Sequence, residues 1–158
     1  MIRAVAVLAV LGSPALSEPL ADMHGTWRGS GWARETPDGP KETLRCRMSN
    51  SYASGALTVS GRCVIAGRKI ALAGEIKGKS GSDKITGHWF NPGGLGSARI
   101  SGLQGADVVA YTFRAKDPET GTDLAQNVEW RVQADRMRLR ATDRANPSIM
   151  MSDIIFTH

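Results

Sequence analysis

Cys46 and Cys63 are the most chemically committed residues in the chain. An even count of cysteines in an exported protein reads as a disulfide. The other reactive types are scattered. His24, His88 and His158 stand far apart and read as a linker residue, an outward strand residue and a terminus. No His/Cys cluster has metal-ligand spacing. No Gly-x-Ser-x-Gly presents a nucleophile, and no glycine-rich loop precedes a helix to cradle phosphate. Asp117, Glu119, Thr120 and Asp123 gather oxygen atoms but lack the spacing of a calcium loop, and read as a solvated hairpin turn. These residues favour a protein that is not an enzyme and carries no metal and no cofactor.

The remaining chemistry is that of binding. Trp27, Trp32, Trp89 and Trp130 are many for a chain of 158 residues. Large aromatics line ligand pockets, and they also fill cores. Trp27, Trp89 and Trp130 share the apolar face of their strands. Trp32 has the opposite parity to Trp27 and is expected outside, at a rim or interface. Arg136, Arg138 and Arg140 alternate with Met137, Leu139 and Ala141, which sets three guanidinium groups on one strand face. That face could hold a phosphate, a carboxylate or an anionic head group, or simply keep an exposed strand soluble. A local inversion would bring one Arg inward to pair with a ligand. Trp27, Trp89, Trp130, Arg138 and Arg140 are therefore the ligand-binding candidates.

The elements that position these residues are strands. After residue 18 there is no long apolar run at helical spacing. Short alternating runs, broken by Gly, Pro, Asp and Asn, predict an antiparallel meander. The strands fall at 26–34, 42–49, 56–65, 68–77, 83–90, 97–104, 107–115, 125–134, 136–142 and 149–157. Turn chemistry is explicit at Pro37-Asp38-Gly39-Pro40, Asn91-Pro92-Gly93-Gly94, Asp117 to Gly121 and Asn146-Pro147. Four strands repeat an apolar-small-Gly pattern, at Gly61, Gly74, Gly87 and Gly102. Each glycine lies on the apolar face, where it weakens a strand unless the backbone bends or is closely approached. A row of them predicts a strongly coiled sheet closing into a barrel. The fold class is all-β: one antiparallel up-and-down barrel of about 8–10 strands, with a two-sheet sandwich as the alternative. If strands 42–49 and 56–65 pair with Cys46 opposite Cys63, then Leu44 meets Ile65 and Met48 meets Gly61. Apolar residues then face each other throughout, and both sulfurs lie on the core side.

The N-terminus sets the compartment. Arg3, an apolar run from Ala4 to Leu11, and small residues at Ala15 and Ser17 follow the order of a signal peptide. The run is too short to span a bilayer, so no stable membrane insertion is expected. Residues 1–17 read as a signal peptide cleaved after about Ser17. Residues 18–24 read as an N-terminal linker, and 25–158 as the barrel domain. The protein is expected to be periplasmic or secreted. Removing residues 1–17 takes away one Arg and no acid, so the formal charge of +5 becomes about +4. That balance favours anionic surfaces without establishing a nucleic-acid partner, and export argues against one.

The opening Gly25-Thr26-Trp27 before a β meander resembles the lipocalin and wider calycin barrels. That resemblance implies that Trp27 plugs one end of the barrel and that a late basic residue, Arg138 or Arg140, packs on it. The longer opening Gly25-Thr26-Trp27-Arg28-Gly29-Ser30-Gly31 is also similar to nitrobindin-type haem barrels. Those continue with a Tyr-Pro pair where this chain has Thr36-Pro37, and they bind haem through a late His, for which only His158 is present. Exported bacterial inhibitors of secreted metalloproteases share size, export and a bridge with this chain, but no motif.

Two functions follow from these residues. One is a non-enzymatic binding module that holds a small apolar or amphipathic ligand inside a barrel. The other is a protein-interaction module, such as a periplasmic protease inhibitor or envelope accessory factor, using the basic surface and the loops 49–55 and 91–97.

Overall fold

The computed structural model describes residues 18–79, 81–91, 96–116, 121 and 123–158. The proposed signal peptide, the tip of the 91–97 loop and the acidic turn from 117 to 120 lie outside these residues. The described chain contains a short helix, α1 (Pro19–Asp22), and ten strands. These are β1 (Gly25–Ala33), β2 (Glu42–Ala53), β3 (Ala56–Ile65), β4 (Arg68–Gly78), β5 (Lys84–Asn91), β6 (Gly96–Gly105), β7 (Val108–Lys116), β8 (Asp123–Val132), β9 (Arg136–Asp143) and β10 (Met150–Thr157).

Every strand pairs antiparallel with its neighbours in sequence, and β1 pairs with β10 to close the barrel. Alternation alone placed these strands to within two residues, apart from the end of β2, which runs on to Ala53. The 49–55 segment is therefore not a long loop. It is the end of a strand and a two-residue hairpin, Ser54–Gly55, with both residues at positive φ. That backbone twist matches the twist of the flanking strands.

The β2–β3 register is the one that alternation requires. Cys46 faces Cys63, Leu44 faces Ile65, and Met48 faces Gly61. The two cysteines form a disulfide spanning 17 positions of sequence. The glycine row serves close approach. A Cβ at Gly87 would collide with the Glu75 carbonyl oxygen, and one at Gly102 with that of Ala110. At Gly74 it would stand 2.5 Å from the Trp89 ring. Residues with side chains at these points would push adjacent strands apart and flatten the curve that closes the sheet.

Residues 18–24 do not run as an open linker. Leu20 and Met23 of this segment are buried, and α1 touches β2, β3, β6 and β7 at the end of the barrel where β1 begins. The Met23 carbonyl accepts hydrogen bonds from the Trp27 indole (3.0 Å) and the Asn50 amide (2.9 Å). Below this plug, Trp27, Leu57, Ile76, Ile85, Val109 and Met137 are almost inaccessible. Toward the other end, Ile70, Leu72, Trp89, Phe113 and Leu139 are only partly buried. The barrel is sealed at the α1 end and looser at the opposite end.

Removing the bridge with the double substitution Cys46→Ala and Cys63→Ala should lower unfolding stability by about 3 kcal/mol. Urea unfolding followed by tryptophan fluorescence reads this as a lower midpoint.

Candidate functional site

The looser half of the barrel encloses a cavity of about 270 Å³. It rises from the disulfide and Met48 in mid-barrel to the strand ends at Ala33, Gly96 and Ala115. Its wall is mostly apolar and includes Leu44, Leu72, Trp89, Phe113, Trp130 and Phe156. These positions face inward because residues two apart share one face of a strand. Trp130 is fixed from two sides: its ring tilts against Phe156 with centroids 5.5 Å apart, and its indole N–H donates to the Tyr111 hydroxyl at 3.2 Å.

Four polar side chains interrupt this wall: Arg34, Tyr111, Gln126 and Ser152. Tyr111 is deepest. Burial pushes its phenol up to about 12, and the hydrogen bond from Trp130 opposes that only in part. At neutral pH it is a phenol whose oxygen accepts from Trp130. Its own hydrogen has no acceptor among the described residues. Arg34 sits just beyond the end of β1. Its guanidinium donates to the Pro37 carbonyl at 2.8 Å, and its buried Nε has no hydrogen-bond partner among the described residues.

The sequence-derived candidates separate. Trp89 and Trp130 line the cavity. Trp27 faces inward but belongs to the sealed end, where it is fully buried. The side chain stacked on Trp27 is His158, with ring centroids 3.7 Å apart and tilted by 31°. The late basic residue expected there, Arg138 or Arg140, lies elsewhere. Asp153 faces Arg140 across the β9–β10 pair and holds both arginines on the outer wall. Arg138 makes a two-pronged contact with its carboxylate (2.8 and 2.6 Å), and Arg140 approaches at 3.7 Å. Neither lines the cavity. The Arg138 hydrogen bonds hold the Asp153 carboxyl below the usual range, although partial burial opposes the shift. Trp32 is half-buried on the outer face, with Lys41 4.0 Å from its ring centroid.

Tyr111, Phe113 and Gln126 share the inward parity of the tryptophans, so alternation would have found them. Arg34 ended the expected strand 26–34 at outward parity, but β1 stops at Ala33 and Arg34 instead lines the cavity.

The chain has a solved structural neighbour. Rv2717c from M. tuberculosis superposes with a TM-score of 0.64, covering 90% of this chain and 96% of that one at 14% sequence identity. That likeness shows a shared fold. No protein family and no curated protein matches the chain in sequence. The barrel has ten strands, and no family match supports the lipocalin-type resemblance of its opening. The haem implied by the nitrobindin-like opening does not fit the cavity as built. No histidine lines it, and the His158 ring is packed on Trp27 at the sealed end. Among the described residues, no three His, Cys, Asp or Glu side chains gather as a metal site.

Two pH effects follow. Tyr111 ionises later in the folded than in the unfolded chain, so its contribution is complete below about pH 10 and declines as pH rises toward 12. Tyr111→Phe should lose about 1–3 kcal/mol at pH 7 by orphaning the Trp130 N–H. It should also reduce the further loss between pH 7 and 11 by about 1 kcal/mol, measured by urea unfolding at both pH values. Asp153 has the opposite sign. Its depressed pKa contributes stability above the unfolded value of about 4, lost as pH falls through the folded value. Both partners are partly exposed, so Asp153→Asn should lower stability by about 1 kcal/mol or less at pH 7. The variant and parent should converge near pH 2 in the same assay.

Proposed function

We propose that this protein is a non-enzymatic binding module that holds one small, mostly apolar molecule in the open half of its barrel. The observation that carries this reading is the Tyr111 hydroxyl, which has no acceptor among the described residues and lies deep in a mostly apolar cavity. An apolar wall attracts a ligand by removing its surface from water. The deep Tyr111 donor, with the buried Arg34 Nε nearer the open end, then selects molecules that carry an acceptor, because an apolar molecule without one leaves the hydroxyl unpaired. A cavity of about 270 Å³ suits roughly ten non-hydrogen atoms, by comparison with benzene in a cavity of about 150 Å³. A Kd on the order of 10–100 µM is expected for that size.

The compartment belongs to the same proposal. The disulfide suits an oxidising environment outside the cytoplasm. Cleavage after about Ser17 would leave α1 at the new N-terminus, free to plug the barrel. Among the described residues no helix is long and apolar enough to cross a membrane.

The test compares naphthalene with 1-acetylnaphthalene by titration calorimetry on the mature, oxidised protein. The ketone should bind threefold to tenfold more tightly, the worth of one hydrogen bond, and Tyr111→Phe should erase that difference. Trp89→Ala should weaken both by about tenfold through lost ring contact. Saturable binding with no preference for the ketone would remove the role of Tyr111. No binding of either, together with a bare native mass after periplasmic export, would overturn the ligand reading in favour of the protein-interaction module.

A further inference from the structure

The outer wall formed by β1–β4, next to the Asp153 cluster across the closing pair, carries a different set of cations. Arg28 on β1 faces Arg47 on β2, and Arg47 faces Arg62 on β3. Three guanidinium groups thus stand in one cross-strand row, on strands about 4.8 Å apart. The next outward row toward the open end reads Ser30, Arg45, Val64, Lys69. All five cations are exposed, and none forms an ion pair among the described residues. A shallow groove runs between them, and its lining contains no carboxylate.

Like charges directly opposite on neighbouring strands destabilise a sheet. Some arginines elsewhere have an acidic partner: Arg138 and Arg140 share Asp153, and Arg68 pairs with Glu35. The Arg28–Arg47–Arg62 row has no such relief among the described residues, and it sets three guanidinium groups side by side rather than two. The array is two-dimensional, spreading over four strands and two rows about 7 Å apart. It surrounds an exposed apolar side chain, Val64, which is 42% accessible. No aromatic lines the groove, so it lacks the stacking platform on which single-stranded nucleic acids are held. Guanidinium groups match phosphate oxygens in pairs.

We propose that this face docks onto the phosphate head groups of an anionic phospholipid surface. The binding is peripheral: the cations meet the phosphates, and Val64 meets the interface between them. Each basic side chain near such a surface is worth about a fivefold gain in partitioning, and the attraction weakens as salt shortens the Debye length.

Co-sedimentation with vesicles tests this, using about a quarter phosphatidylglycerol in phosphatidylcholine against phosphatidylcholine alone. The mature protein should pellet with the anionic vesicles only, and release as salt rises from about 0.1 to 1 M. The triple variant Arg28→Gln, Arg47→Gln, Arg62→Gln should lose partitioning about a hundredfold. Its melting temperature should stay level or rise by about 1–3 °C, since the row's mutual repulsion is gone. Arg47→Gln alone should lose about fivefold, which keeps the test valid if the triple variant misfolds. Arg99→Gln with Arg114→Gln, a facing pair on β6 and β7, removes charge from another wall and should lose far less than the triple variant. Equal binding to both vesicle types would overturn the proposal. So would a loss in the Arg99/Arg114 control as large as in the triple variant, or binding to soluble polyphosphate without binding to vesicles.

Discussion

The pairing of β1 with β10 is the constraint on which the rest of the structure depends. It turns an open ten-strand meander into a barrel and removes two edges that would otherwise present unpaired backbone groups. Closure fixes the interior size. Eight strands give a barrel just wide enough for its own side chains, and each added strand widens it. A ten-strand barrel must therefore carry a plug, large side chains or empty space, and this one divides its length between them. Leu20 of α1 and Met23 just after it, with Trp27 and Met137, fill one half. In the other half Trp89, Trp130 and Phe156 line the wall without filling the centre. The cavity is thus a consequence of strand number combined with a plug that covers one end only.

Much of this frame was legible because a strand has a period of two. Once Trp27, Cys46, Cys63, Trp89 and Trp130 were placed on apolar faces, register followed from requiring Cys46 to meet Cys63, and the glycine row followed from curvature. What escaped had no periodic signal. α1 has four residues, too few to show a helical repeat. The Ser54–Gly55 hairpin lacks the Asn-Gly or Asp-Gly pair that marks such turns, so the end of β2 read as a loop. His158 gained a partner only through tertiary packing on Trp27. The Arg138–Asp153 pair depends on a bulge in β10 between Met150 and Ser152, which a single sequence does not announce. The binding candidates fared accordingly: parity placed the tryptophans inward, and a cross-strand acid kept the arginines outside.

The two arginine groups show how the same residue type acquires different meanings from its neighbours. Arg138 and Arg140 looked like an anion site because they alternate along one strand. Asp153 on the adjacent strand neutralises them, so they stabilise the β9–β10 seam next to the closing pair. Arg28, Arg47 and Arg62 sit on three different strands and show no cluster in sequence. Only the register brings them into a row, and nothing described on those strands offsets their charge. Charge patterning along a strand is therefore a weaker guide than patterning across strands, which needs the pairing to be known.

The disulfide links the stability of the barrel to its site. Cys46 and Cys63 face inward, and both belong to the cavity wall. The bridge constrains the unfolded chain, as any cross-link does, and it also ties β2 to β3 at mid-depth, where the wall changes from filled to hollow. A filled section resists collapse through its own side chains. A hollow one has no atoms across the gap to hold its strands apart, and a ten-strand sheet can flatten there. A covalent tie between β2 and β3 and the Gly74–Trp89 contact between β4 and β5 oppose that flattening. Under the proposed reading, a wall braced at β2–β3 and β4–β5 holds the cavity open beforehand, so that a molecule entering it would not have to spend binding energy on reopening the barrel.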